Sequence, residues 1–321
     1  MKIKNVLLAV IAVVVIPWIT CRVAEDWILE NVKEETNSGK IIGEPAEKQR
    51  EKAKVYQIPV LFRDGQTVAM PLEEYMLGVL LGEMPADFHP EALKAQAVVA
   101  RTYTMKRNTQ SQKHPGGAVC TDAACCQAYK DPAAISSEQL DKIQKAVNDT
   151  QGQVLTYKGT LIDATYFSCS GGRTEAAVAV WGTDVPYLQA VDSPGEENAS
   201  VFTDTVTYST DEFSRLLSVE LHGPPDSWFT DLTYTPGGGV DTIKICGTEF
   251  TGTELRSLLN LRSTAFRITA LPDTITITTR GYGHRVGMSQ YGAEAMAQAG
   301  SDYQSILAHY YPDTTLENRM E

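Results

Sequence analysis

Leu81-Gly-Glu-Met-Pro-Ala-Asp-Phe-His-Pro-Glu-Ala-Leu-Lys-Ala-Gln-Ala-Val-Val-Ala-Arg-Thr-Tyr103 joins two helices through a tight bend. Pro85 and Pro90 break the first helix, because proline cannot continue one and pushes its predecessor towards extended geometry. Upstream, Pro71 suits a first helical position, and Leu72, Tyr75, Met76, Val79 and Leu80 then share a face. Glu83 falls in the last turn. Unpaired helix carbonyls there disfavour an ionised carboxylate, and burial disfavours it further. A carboxyl kept protonated near neutral pH suits a general acid. A solvated glutamate that merely ends a helix is the plainer reading of the position.

The second helix is expected from Pro90 to Arg107. Ala92, Ala95, Val99, Thr102 and Tyr103 share one face, and Leu93, Ala97, Ala100 and Thr104 another. Small residues on several faces call for packing on more than one side. Lys94 and Arg101 lie two turns apart and project in nearly the same direction, which suits polar or anionic groups of a ligand beside Glu83. An ordinary charged face is the alternative.

Working outward, Val55–Phe62 alternates like a strand, Arg63–Gln66 is a turn with an Asp-Gly signal, and Thr67–Met70 is the return strand. Ala24–Lys54 mixes charges with Asn, Ser, Gly and Pro and reads as a tether. Asn5–Thr20 is apolar behind Lys2 and Lys4. Signal peptide, single-span anchor and buried core segment compete. The absence of a small-x-small site and the interfacial Trp18 and Arg22 favour an uncleaved anchor, with the rest of the chain outside the cytoplasm. The expected organisation is 1–22 anchor, 23–54 tether and 55–321 a folded extracytoplasmic domain.

Downstream, His114, Cys120, Cys125 and Cys126 sit in one loop. Three thiols and an imidazole match structural zinc, which takes four N or S ligands. A disulfide competes, because cysteines oxidise outside the cytoplasm. No H-E-x-x-H motif marks a catalytic metal. Ser136–Thr150 reads as a helix with Ser137 as its cap, and 153–157 with 160–167 as a strand pair. Ser168-Cys-Ser-Gly-Gly172 is a turn whose glycines admit a ligand close to the backbone. Its Cys169 and the distant Cys246 are candidates for pairing. Trp181 and Tyr187 offer aromatic faces, and Asp192 is the one candidate for a second carboxylate. Helices are expected at 210–217, 251–259, 289–299 and 303–311, with a strand at 271–279. The strand delivers His284, with Gln290 and Tyr291 just beyond. His309 reads as packing for the last helix.

Three stretches, in order, carry a resemblance. GEMPADFHPEALKAQAVVARTY (82–103), SCSGGRTE (168–175), and GYGHRVGMSQYGA (281–293) with HYYP (309–312) are similar to the stage II sporulation protein D family. The resemblance spans roughly residues 55 to 316. One departure is Arg285, where the family pattern has glycine. It implies an α+β fold, a helical catalytic core packed with antiparallel β structure around a substrate cleft. It also implies a lytic transglycosylase acting on peptidoglycan glycan strands, preferably stripped of peptides, in septal remodelling during engulfment. A peptide-removing amidase and membrane proteins of the engulfment machinery are the implied partners. Some relatives carry a metal at H-x5-C-x5-C spacing, which His114, Cys120 and Cys126 repeat, with Cys125 a fourth ligand. On this reading Glu83 is the catalytic acid. Lys94, Arg101, Ser168, Ser170, Gly171, Gly172, His284, Gln290 and Tyr291 bind the sugar, and no cofactor serves catalysis.

The 321 residues are 43% hydrophobic and 21% charged, a globular composition, and the net charge of -12 argues against nucleic acid. A neutral sugar polymer remains compatible. Glycosidases that use water pair two carboxylates. A lytic transglycosylase works with one, because the sugar's own 6-hydroxyl attacks. The lack of a convincing partner for Glu83 fits that scheme. Two rivals stay open: a zinc-dependent wall peptidase, and a non-catalytic scaffold that only grips the wall.

Overall fold

The computed structural model describes residues 55–319. Leu72–Glu83 forms α1 and Pro90–Thr109 forms α2. Pro71 stays extended at the end of a strand instead of opening α1, so the helix starts one residue later than expected. Met84 is extended as the residue before Pro85 must be, and this ends α1 at Glu83.

α2 is the axis of the molecule. Every residue from Ala95 to Met105 is buried. Leu93, Ala97 and Ala100 pack into one core with Leu72, Met76 and Leu80 of α1 and Ile143 and Val147. Ala92, Ala95, Val98 and Val99 pack into a second core with Leu188, Val286, Ile306 and Tyr310. The two apolar faces legible in the sequence thus serve two cores, and the alanines let neighbours approach closely on both sides.

Arg101 shows what such an axis does with a charge. Its side chain is fully buried, its Nε and Nη2 donate to both oxygens of Glu73 at 2.9 and 2.6 Å, and its Nη1 donates to the Gln153 carbonyl at 3.2 Å. This bidentate pair fastens α2 to α1.

Gln57–Leu61 (β1) pairs antiparallel with Thr67–Pro71 (β2) and parallel with Val119–Cys120 (β3). Ser137–Asp149 (α3) is capped by Ser136, whose hydroxyl accepts from the Gln139 amide, and not by Ser137. Gln153–Tyr157 (β4) pairs with Thr160–Leu161 (β5) and with Thr315–Asn318 (β14). The expected strand at 160–167 breaks after Leu161. Tyr166–Phe167 (β6) pairs in parallel with Met288–Ser289 (β13) instead. The diversion is fixed at Thr165, whose carbonyl accepts from Met288 N and the Tyr311 hydroxyl.

Residues 203–280 build a unit with its own core of Phe213, Trp228, Ile243, Leu255, Ile275 and Ile277. Thr203–Ser209 (β7), Phe266–Ala270 (β11) and Thr274–Arg280 (β12) form an antiparallel sheet in the order β11-β12-β7, and Phe229–Thr230 (β8), Thr242–Ile245 (β9) and Thr248–Thr251 (β10) form another in the order β10-β9-β8. Thr210–Leu217 and Gly252–Leu258 are its helices, as expected from the sequence. The result is an α+β fold whose helical axis is flanked by antiparallel sheets.

The expected membrane anchor needs correction. Among the described residues no helix is long and apolar enough to cross a membrane. The longest, α2, carries Glu91, Lys94, Arg101, Lys106 and Arg107 within its 20 residues. Each such charge at a bilayer centre costs about 2.5–3.5 kcal/mol on insertion scales. The apolar run at 5–20 and the tether lie outside the described residues, so the single-pass localisation is withdrawn.

Candidate functional site

Glu83 is placed by two glycines. Gly78 and Gly82 lie one turn apart on α1. A Cβ on Gly82 would come within 2.7 Å of the Ala128 and Tyr129 backbone, and one on Gly78 would strike the Tyr129 ring. The bare groove lets the segment 127–130 lie against the helix, and Lys130 N donates to the Gly78 carbonyl at 2.9 Å. The same approach brings Ala128 N to Glu83 Oε1 at 2.6 Å. The Tyr166 hydroxyl, from β6, donates to that oxygen at 2.9 Å. Burial pushes the Glu83 carboxyl above its usual range, against the opposing pull of the Ala128 amide, the Tyr166 hydroxyl and the nearby Gln290 amide. Burial, more than the helix-end field expected from the sequence, sets the direction. The Gln290 Nε2 is itself buried without a hydrogen-bond partner among the described residues.

Tyr166 is held in turn by Gln127, whose Nε2 donates to the phenol oxygen at 3.2 Å while its Oε1 accepts from the Thr104 hydroxyl at 2.7 Å. Gln127 and Ala128 directly follow Cys126. One short segment therefore supplies both an amide for Glu83 and the support for its second donor.

These groups open onto a cleft of about 580 Å³ lined by Glu83, Tyr103, Arg107, Lys113, Cys125, Cys126, Asp163, Tyr166, Ser168, Trp181, Tyr282, His284 and Gln290, among others. Such a volume is ordinary for a small-molecule or oligomer subsite. His284 is wedged between Phe167 and Trp181, with ring centroids 5.6 and 5.4 Å away. Its Nδ1 accepts from Val286 N at 3.1 Å, so the ring proton sits on Nε2. Burial, with a contribution from Arg256, lowers its pKa to about 4. It is a neutral wall residue at physiological pH.

Of the residues singled out in the sequence, Glu83, Ser168, His284, Gln290, Cys125 and Cys126 meet in this cleft. Others go elsewhere. Arg101 is spent on Glu73, as described above. Lys94 pairs with Glu91 at 2.9 Å and Asp149 at 3.3 Å, and lines a separate cavity. Two helical turns from a common direction were not enough, because Glu83 lies beyond the bend, away from that face. Asp192 is 76% exposed and paired with Arg173, so it is no partner for Glu83.

The serine-glycine turn is also re-read. Ser170 and Gly171 do not offer their amides to the cleft: both donate to buried Glu196, at 2.8 and 3.0 Å. Gly172 N donates to Ser170 Oγ. Gly171 has φ 75, and a Cβ there would meet the Arg280 backbone, so the glycine serves chain crossing. Tyr291 packs edge-on against Phe88. Cys169 and Cys246 are free: Cys169 donates to Glu196 at 3.1 Å and Cys246 faces the His222 carbonyl. His309 lies edge-on to its neighbour Tyr310, and its Nε2 donates to the Asp192 carbonyl at 2.7 Å, which ties the last helix to that segment.

Arg285 has φ 65, the left-handed region in which glycine is unstrained and other residues lose about 1–2 kcal/mol. Its buried guanidinium offsets this by bonding Glu175 at 3.1 Å and the Ser170, Arg173 and Gly237 carbonyls at 2.7–2.8 Å. The left-handed Arg285 is thus accommodated by a clamp on the same turn.

Sequence reasoning missed Tyr166, Asp163, Arg107 and Lys113. Gly78 and Gly82, at helical spacing beside Glu83, were the legible signal for a segment lying across α1. Nothing local marked Asp163, whose role depends on the break after Leu161.

His114, Cys120, Cys125 and Cys126 converge with all donor atoms within 4.8 Å of one another. A tetrahedral zinc with thiolate bonds of about 2.3 Å spaces its sulfurs by roughly 3.8 Å, so the donor set fits. No disulfide joins these cysteines.

The family described as Stage II sporulation protein matches residues 64–157. The chain is 41% identical over 285 residues to Stage II sporulation protein D of Bacillus subtilis (strain 168), covering 85% of this chain and 82% of that one. It is 42% identical to Stage II sporulation protein D of Bacillus amyloliquefaciens, over 79% of this chain and 76% of that one. A third relative, 33% identical, is the Amidase enhancer of Bacillus subtilis (strain 168), with 74% of this chain and 40% of that one covered.

Proposed function

The chain belongs to the stage II sporulation protein D family, and from that premise we propose that it is a peptidoglycan lytic transglycosylase. Its substrate is the MurNAc-GlcNAc bond of glycan strands, preferably peptide-stripped, in remodelling the septal wall during engulfment. The observation that carries this reading is Glu83: a half-buried carboxyl, its pKa raised by burial, on the wall of a cleft.

The chemistry follows from that group. Protonated Glu83 donates its proton to the glycosidic oxygen as the bond to MurNAc C1 breaks. The resulting carboxylate takes the proton of the same sugar's 6-hydroxyl as that oxygen bonds to C1. The products are a 1,6-anhydro-MurNAc end and a free 4-hydroxyl, with Glu83 restored and no water consumed. The internal hydroxyl has a high effective concentration, so no positioned water is needed. Ala128 N and the Tyr166 hydroxyl hold one carboxyl oxygen, which leaves the other for the substrate. Ser168, His284 and Gln290 line the cleft around it, and Trp181 and Tyr282 offer exposed aromatic faces to sugar rings.

A zinc ion held by His114, Cys120, Cys125 and Cys126 supplies structure in this proposal, by stapling the loop that leads into Gln127 and Ala128. The relative named an amidase enhancer supports placing the activity beside a peptide-removing amidase.

Mass spectrometry of products from purified glycan tests the reading. Anhydro-ended fragments are expected, falling at least about a thousand-fold in Glu83→Gln, whose amide cannot donate an acidic proton. Products one water heavier make the protein a hydrolase, with Asp163 the candidate second carboxylate. Wall binding with no released fragment makes it a scaffold. Turnover that survives Glu83→Gln but stops on chelation makes it a zinc peptidase.

A further inference from the structure

One end of the Glu83 cleft is cationic, in a chain whose net charge is -12. Lys106 and Arg107 share a single carboxylate, Asp163, and Lys113 stands with Arg107 at the Tyr103 ring. Lys106 satisfies that carboxylate at 2.8 Å and also donates to the Leu161 carbonyl. Arg107 stands 3.6 Å from the other oxygen, beyond a good hydrogen bond. Its Nη1 donates to Ser111 Oγ at 3.0 Å, and its Nε is buried with no partner among the described residues. Lys113 is exposed, and among the described residues its ammonium reaches only neutral oxygens, the Tyr103 hydroxyl at 3.3 Å and the Cys125 carbonyl. The guanidinium and this ammonium both lie against the Tyr103 ring, at 5.0 and 5.9 Å from its centroid. Arg107, Lys113, Tyr103 and Glu83 line one cavity.

Two cations held over one aromatic ring and facing a cleft, neither closely matched by a carboxylate among the described residues, suit a carboxylate ligand. On a glycan strand of peptidoglycan the acidic group is the lactyl ether of MurNAc. That carboxylate is free only where no peptide is attached; an amide-linked peptide abolishes its charge. Resting on the transglycosylase reading above, we infer that Arg107 and Lys113 bind the free lactyl carboxylate of a MurNAc residue in the Glu83 cleft. They are specificity-determining residues, and they make charge on the strand, not only sugar shape, a condition of tight binding.

The test uses Glu83→Gln protein, which holds strands without cutting them, and calorimetric titration with two glycans. One is peptide-free glycan with its lactyl carboxylates intact; the other is the same glycan after conversion of those groups to methylamides. The intact strand is expected to bind roughly ten- to a hundred-fold more tightly, the range of a charge-assisted contact. Lys113→Gln, at an exposed position, and Arg107→Gln should each erode that preference without weakening the methylamide strand. Thermal melts confirm that both variants fold. Equal affinity for the two strands, or a preference that survives both substitutions, overturns the assignment. Failure to bind either glycan overturns the transglycosylase reading itself, and this inference with it.

Discussion

Glu83 lines the cleft and Glu196 lies buried behind the serine-glycine turn, and the chain treats the two glutamates differently. Glu196 is almost completely buried and satisfied on both oxygens. Its Oε2 accepts from Ser170 N, Ser170 Oγ, Gly171 N and Cys169 Sγ at 2.8–3.1 Å, and its Oε1 accepts from Ser193 Oγ at 2.6 Å. Glu83 is half-buried, and both of its hydrogen bonds fall on Oε1. A carboxylate surrounded by donors is a fixture: its charge is matched, and it holds the serine-glycine turn. One with a spare oxygen, in a place where charge is costly, is suited to exchanging a proton. Burial alone does not separate the two; the count and placement of donors does.

The largest expected effect of breaking this contrast is on stability. Glu196→Gln replaces an oxygen that accepts four bonds by a group that can also donate, leaving buried amides and hydroxyls unpaired. A loss of about 3–5 kcal/mol is expected, read as a lowered melting temperature. Glu83→Gln should do the reverse at alkaline pH. A carboxyl whose folded pKa is raised contributes stability below its unfolded pKa and loses it as pH rises through the folded one. The variant escapes that loss, so it should melt above the parent at pH 8 and near it at pH 4. If Glu196→Gln melts like the parent, the division between fixture and acid collapses.

Next in size is Tyr166→Phe. The phenol stabilises the charged form of Glu83, so its removal raises the carboxyl further. A general acid works while protonated, so activity falls as pH rises past its pKa. The alkaline limb of the rate profile should therefore move to higher pH in the variant. The lost contact should also cost roughly ten-fold in rate at the optimum, through poorer placement of the carboxyl. A limb that stays in place would show that the titrating group is not Glu83.

How much of this was legible beforehand depends on the range of the signal. Helix α2 was readable to within two residues because its two apolar faces repeat at helical spacing and Pro90 fixes its start. Glu83 was readable because prolines and a helix end bracket it. The helices of the unit at 203–280 were readable to within a residue of Thr210–Leu217 and Gly252–Leu258, and the Thr251–Glu254 capping box that starts the second is a local feature. What failed were inferences from direction alone. Lys94 and Arg101 do share a face, but the bend carries Glu83 away from it, and Glu73 takes the arginine. The serine-glycine amides were legible as a binding nest; nothing nearby told that a glutamate some 25 residues on would fill it. Tyr166 and Asp163 reach the cleft because β6 abandons β4 for Met288–Ser289, a pairing more than a hundred residues away in sequence. Periodicity cannot report such a partner.

The smallest expected effect concerns His284, another ionisable side chain on the wall, and it sharpens the assignment of the limb to Glu83. Burial between Phe167 and Trp181, with a contribution from Arg256, disfavours the imidazolium, and the ring is lowered to about 4. Between pH 5 and 8 it should stay neutral, with no imidazole titration in its NMR shifts. Its lowered pKa adds stability above the unfolded value near 6.5, and that stability is lost as pH falls towards 4. The alkaline inflection of the rate is then expected to belong to the carboxyl, and it should survive in His284→Asn while moving in Tyr166→Phe. An inflection that vanishes in His284→Asn would transfer the proton to the histidine. Glu83 would then become a second fixture, and the contrast with Glu196 would lose its chemical meaning.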